Sequence, residues 1–132
     1  MPRFVLLRHT LPPESSRSSH WDFMIERDGM LRTWALAQDP LSESMIAATR
    51  LPDHRIDYLE FEGEISGGRG RVQRCDGGAY TLIEQTSKLL VLDLFGGRLR
   101  GRVTLQCDDA SDQRWRFELV RSLPVEGDMS AF

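Results

Sequence analysis

The chain has three histidines, His9, His20 and His54, and each stands close to an acid or an arginine. The most informative surroundings are those of His20-Trp21-Asp22-Phe23-Met24-Ile25-Glu26. On a strand, alternate side chains share a face. That puts His20, Asp22, Met24 and Glu26 on one side and Trp21, Phe23 and Ile25 on the other, which reads as the core face. His20 and Asp22 then project together, about 6–7 Å apart along the backbone. A divalent ion can sit between an imidazole and a carboxylate so presented. His9 ends an apolar run, and beside the His20 strand it would complete a two-histidine, one-carboxylate set with open positions, as a catalytic ion requires. Spacing alone still favours the plainer reading, a hydrogen-bonded His-x-Asp pair on a surface strand.

His54 and Tyr58 lie four apart in Pro52-Asp53-His54-Arg55-Ile56-Asp57-Tyr58 and share a side in helical or extended geometry. Together they could donate to a phosphate or protonate a leaving group, although a surface histidine beside a packed tyrosine is the commoner case. Arg98, Arg100 and Arg102 alternate with Leu99, Gly101 and Val103. That stripe reads first as a solvated outer face. Leu7-Arg8-His9-Thr10 resembles the Arg-His-Gly signature of histidine phosphatases, but Thr10 replaces the glycine and the long helices of that α/β fold are absent.

Short segments with period-two alternation, separated by Gly, Pro and Asp turns, predict a mainly β chain. Expected strands are 4–9, 20–26, 30–37, 45–50, 59–65, 70–74, 80–84, 89–95, 99–106 and 114–120. Asp28-Gly29 is a hairpin turn, and Gly67-Gly68, Gly77-Gly78 and Gly96-Gly97 are further turn signals. Helix is expected only near 41–47 and 53–58. Many short strands at this spacing predict a barrel or a sandwich. Residues 11–19 form a polar loop, 1–122 a single domain, and 123–132 a flexible C-terminal tail.

With 132 residues and 40% hydrophobic content, the chain fits one soluble globular domain. No apolar run approaches the roughly 20 residues that span a bilayer, and the opening residues carry no secretory pattern. A cytoplasmic location is expected, with no membrane partner. Cys75 and Cys107 are the only cysteines, and their spacing gives neither a zinc motif nor a disulfide framework. The net charge of −3 excludes coating of nucleic acid by bulk electrostatics. Among 17 basic residues Lys88 is the sole lysine. Arginine suits bidentate phosphate contacts, yet a GC-rich genome explains the same bias.

Taken in order, several segments resemble the 3′-phosphoesterase domain of bacterial DNA ligase D. That family shows F-V-x-Q-K-H, then L-H-x-D-x-R-L-E, D-G-V-L-x-S-W-A and D-H-P-x-D-Y-x-x-F-E-G. This chain reads Phe4-Val5-Leu6-Leu7-Arg8-His9, then Ser19-His20-Trp21-Asp22-Phe23-Met24-Ile25-Glu26. It continues with Asp28-Gly29-Met30-Leu31-Arg32-Thr33-Trp34-Ala35 and Asp53-His54-Arg55-Ile56-Asp57-Tyr58-Leu59-Glu60-Phe61-Glu62-Gly63. Val72 to Tyr80 is similar to V-x-x-W-D-x-G-x-Y, with Cys75 in place of Trp, and Leu94 to Leu105 to L-x-G-x-L-x-G-x-x-x-L. Any one block is weak. The ordered set, over roughly residues 4–121, is specific.

The resemblance implies a compact closed β-barrel of about eight antiparallel strands with one or two short flanking helices. It implies a divalent metal, manganese first and zinc or another transition ion otherwise, held by His9, His20 and Asp22. His54 and Tyr58 would hold or activate phosphate; outside the family pattern, Arg8 and Arg55 are expected as further phosphate contacts. The implied activity removes a 3′-ribonucleoside, then a 3′-phosphate, from DNA primer ends, so the implied partners are DNA 3′ ends or primer-template and separate ligase or polymerase repair proteins. Three positions depart: Met24 replaces the family arginine, Leu7 a glutamine, and Pro52 an acid. The family's functional segment upstream of the barrel has no counterpart before Phe4. Losing such a charge costs about 2–4 kcal/mol in a transition state, which leaves Arg8, Arg17, Arg50 and Arg55 as candidate substitutes. The rival expectation is a non-catalytic metal- and phosphate- or DNA-end-binding module of a repair complex.

Overall fold

The computed structural model describes residues 1–108 and 110–122; the tail expected at 123–132 lies outside the described residues. Among the described residues nine strands follow one another: β1 Arg3–Thr10, β2 His20–Arg27, β3 Met30–Leu36, β4 Met45–Arg55, β5 Gly63–Glu64, β6 Arg71–Gln85, β7 Leu89–Gly96, β8 Arg100–Cys107 and β9 Arg114–Arg121. Every pairing is antiparallel, in the order β1-β2-β3-β4-β9-β8-β7-β6, and β6 returns to β1. Eight strands thus close a barrel, and β5 only adds two pairs beside β6. Closure removes the open edges that would invite further pairing.

The interior is filled by Phe4, Leu6, Phe23, Ile25, Trp34, Leu36, Tyr80, Leu92, Trp115 and Phe117, among others. A second apolar cluster lies on the opposite face of β1 and β2: Val5, Leu7, Met24, Leu31, Leu59 and Val72, with Ile56, Tyr58 and Ile65 against it. Phe4 to Leu7 is therefore a run of four buried residues, because the segment after β4 covers the outer wall there. A strand packed on both faces loses its alternation.

Several expected boundaries change. Residues 41–47 are not helical: Asp39 turns the chain, its Oδ1 accepting from Leu41 N and its carbonyl from Ser42 N and Glu43 N, and β4 begins at Met45. The helix expected at 53–58 shrinks to a four-residue 3-10 turn, Ile56–Leu59, and the strand expected at 59–65 to Gly63–Glu64. The strands expected at 70–74 and 80–84 are one continuous β6. Gly77-Gly78 is no turn: a Cβ on Gly78 would stand 2.3 Å from the Phe95 carbonyl oxygen, so glycine there permits close strand approach. Asp28 and Gly29, at φ 53° and 78°, do form the expected hairpin turn.

Asp76 is buried, and its carboxylate accepts from Gly97 N at 3.1 Å, Arg98 N at 3.1 Å and Leu99 N at 2.7 Å. It fixes the β7–β8 turn. Asp76→Ala strands these donors and is expected to cost about 3 kcal/mol, a fall of roughly 10 °C in melting temperature. Calorimetry showing a change within a degree or two would refute that role. The arginine stripe is largely structural: Arg102 pairs with Asp93 at 2.8 Å and Arg100 donates to the Gly96 carbonyl.

Candidate metal and phosphate site

The antiparallel register of β1 and β2 sets His9 opposite His20 and Leu7 opposite Asp22. Period two then turns His9, His20 and Asp22 to the outer face. Their ligand atoms all lie within 4.8 Å of one another, so a small inward shift would bring them to the roughly 3.3 Å that separates donors around one tetrahedral transition ion. The His9 and His20 ring centroids are 4.9 Å apart. Asp22 Oδ2 stands 3.4 Å from His9 Nδ1, and Oδ1 stands 3.0 Å from His20 Nε2.

Backbone carbonyls fix both rings. His9 Nε2 donates to Arg69 O at 2.9 Å, and His20 Nδ1 donates to Ser18 O at 3.0 Å. A carbonyl can only accept, so each ring carries its proton on that side and turns its other nitrogen toward Asp22. Orientation of ligand imidazoles by a second partner is usual at metal centres. Despite their 3.0 Å approach, His20 Nε2 and Asp22 Oδ1 are buried without hydrogen-bond geometry to any described partner. Unsatisfied buried groups are costly, and a shared cation would satisfy both. The donor set, two imidazoles and a carboxylate, fits manganese, zinc or a similar ion.

Burial would raise the Asp22 carboxyl, but the two imidazoles outweigh it and hold the group at about 2, against an ordinary 3.8. The Asp22 carboxylate raises His9 above its ordinary 6.5, partly offset by burial and by the charge of Arg17. The signs follow. Asp22 contributes stability above its ordinary value, and that contribution is lost as pH falls toward 2; His9 contributes below 6.5 and loses it as pH rises through its folded value. The metal-free protein is expected to be most stable between about pH 4 and 6.5, with about 2 kcal/mol lost on the acid side through Asp22 alone. Urea unfolding across pH checks this, and Asp22→Asn should flatten the acid limb.

His54 reaches the same place through an irregularity. Between Leu31 opposite His54 and Thr33 opposite Leu51, β4 sets two residues, Pro52 and Asp53, against the single Arg32 of β3. Such bulges re-aim side chains, and they tolerate proline. His54 Nδ1 donates to Pro52 O at 2.9 Å, leaving Nε2 as the free ring atom. The Tyr58 ring meets His54 edge-on at 5.7 Å.

A cleft of about 660 Å³ is lined by His9, Asp22, Met24, His54, Arg55 and Tyr58, with Arg17 and Arg69 also in its wall. It adjoins a second cleft that shares His9, Arg17, Asp22, Pro52 and His54. The structure thus gathers His9, His20, Asp22, His54, Tyr58 and Arg55. It does not bring in Arg8. With His9 outward, Arg8 faces inward and stacks on Trp21 at 4.0 Å. Arg50 likewise lies over Trp34 at 5.0 Å and pairs with Asp53. Among the described residues the Arg17 guanidinium has no partner. Sequence reasoning missed Arg69 and the orienting carbonyls of Ser18, Pro52 and Arg69; a carbonyl leaves no mark in residue type.

Comparison with known proteins bears on the same residues. The family model for the DNA ligase D 3′-phosphoesterase domain matches residues 13–107. The chain belongs to the DNA ligase D 3′-phosphoesterase family. The multifunctional non-homologous end joining protein LigD of Pseudomonas aeruginosa is 33% identical over 107 residues, 74% of this chain and 13% of that protein. Its counterpart from Mycobacterium bovis is 33% identical over 112 residues, 77% of this chain and 14% of that one. The chain therefore spans about a seventh of the length of these relatives. The family match begins after His9, so it is the β1–β2 register that joins His9 to the matched His20 and Asp22. Among the described residues no helix is long and apolar enough to cross a membrane.

Proposed function

We propose that this chain is a metal-dependent phosphoesterase that clears 3′-phosphate or 3′-ribonucleoside ends of DNA during break repair. The carrying observation is the convergence of His9, His20 and Asp22, with two buried donor atoms unsatisfied, beside a cleft that also holds His54 and Tyr58. An ion bound by these three side chains would neutralise phosphate charge and polarise a phosphoryl oxygen. Arg17 and Arg55 supply the cationic wall that Met24 does not. Tyr58 donates its phenolic proton to a phosphate oxygen. His54, its Nδ1–H tied to the Pro52 carbonyl, acts in its doubly protonated form. As water adds to phosphorus, Nε2 passes a proton to the departing oxygen, the 3′ oxygen of a 3′-phosphate or the 5′ oxygen of a 3′-terminal ribonucleoside. The end-joining role of the relatives makes DNA 3′ ends the natural substrate, with separate ligase or polymerase proteins acting next.

The experiment is release of phosphate or nucleoside from 3′-phosphate and 3′-ribonucleotide primers with manganese. Metal-dependent release that His54→Ala lowers by about a hundredfold is expected. A wild-type protein whose melting temperature rises with manganese, yet which leaves both ends intact, overturns catalysis on these substrates.

A further inference from the structure

Beyond the cleft, a smaller groove of about 300 Å³ runs past Tyr58 and shares Arg55, Tyr58 and Arg69 with it. Phe61 lies in this groove and is 37% exposed. Its ring meets Tyr58 edge-on at 5.6 Å, and Tyr58 meets His54 at 5.7 Å. Aromatic rings therefore step outward from the phosphate cleft to the surface. The groove's lining carries two acids, Asp57 and Glu64, and two arginines, Arg55 and Arg69, so its formal charge is balanced. The Arg69 guanidinium is tied to the Ser66 carbonyl at 2.8 Å, and Glu64 pairs with Arg71.

A neutral, aromatic groove is a poor seat for a second phosphate and a good one for a nucleobase, whose π face stacks on aromatic side chains. We infer that Phe61 stacks the base of the terminal nucleotide while its 3′-phosphate occupies the His54 cleft, so that the groove selects nucleotide ends over free phosphoesters. The inference rests on the phosphate reading of the cleft, and binding can test it apart from turnover. Stacking should make thymidine 3′-phosphate bind about tenfold tighter than inorganic phosphate.

The experiment titrates wild type, Phe61→Ala and Phe61→Leu with thymidine 3′-phosphate and with inorganic phosphate, manganese present, by calorimetry. Loss of the nucleotide advantage in both variants at unchanged phosphate affinity is expected, with Phe61→Trp keeping the advantage. Phe61→Leu preserves apolar bulk, so it remains informative if the alanine variant fails to fold. A wild type that binds both ligands equally or binds neither, or variants that keep the advantage or lose affinity for both ligands alike, would overturn the inference. Nucleotide preference through Phe61 without turnover would sink catalysis alone. Turnover untouched by Phe61 replacement would sink the groove alone.

Discussion

Asp22→Asn is expected to abolish the thermal stabilisation that manganese or zinc confers on the wild type. Asparagine keeps the volume of a residue that is only 2% exposed, so packing changes little. What disappears is the negative charge between His9 and His20, one of three donors. Even residues that merely orient metal ligands cost ten- to a hundredfold in affinity when replaced, so a direct donor should cost at least about a hundredfold. At ion concentrations near 100 times the dissociation constant the wild type gains about 2.7 kcal/mol, a rise of roughly 10 °C. The variant should gain almost nothing, and turnover on 3′-phosphate ends should fall about a thousandfold. Thermal melts with and without the ion are the measurement. An undiminished rise in Asp22→Asn would mean the three residues form only a hydrogen-bonded cluster.

The part of the site visible in the sequence is the part that period two controls. His20 and Asp22 share a face because Trp21, Phe23 and Ile25 are needed inside, and any strand through this segment gives that result. The approach of His9 was less accessible, since it depends on the β1–β2 register across the 11–19 loop and not on local pattern. His54 was harder still: it faces the cleft because Pro52 and Asp53 bulge out of β4. Residue types do not announce such a bulge. The resemblance in motifs supplied what periodicity could not, the expectation that all three histidines belong to one site. Misread elements share a cause as well. Gly77-Gly78 looked like a turn because glycine serves both turns and close strand approach, and 41–47 looked helical because the Asp39 turn shortened the visible alternation of β4. Arg8, expected as a phosphate contact, lies one residue from His9 and by the same period two stacks on Trp21 on the opposite face.

Met24→Arg alone is expected to lower the melting temperature by roughly 10 °C, and the double change Leu7→Gln with Met24→Arg to recover part of it. Both residues belong to the outer apolar cluster, at 0% and 1% exposure, and the register makes them diagonal neighbours across β1 and β2. The two positions that depart from the expected motif therefore sit side by side in one apolar layer beneath the cleft. An arginine inserted among Val5, Leu7, Leu31 and Val72 lacks an acceptor, a cost of about 2–3 kcal/mol. A glutamine at position 7 returns a carbonyl to its guanidinium. Met24 also lines the cleft, so the charge would meet phosphate there. The double variant should bind phosphate more tightly and turn over 3′-phosphate ends about a hundredfold faster than wild type. Wild-type phosphate affinity in a folded double variant would place the anion away from this wall, with Arg17 and Arg55 already meeting its charge. Faster turnover would instead mean that this chain gave up rate at the wall for a better-packed outer core.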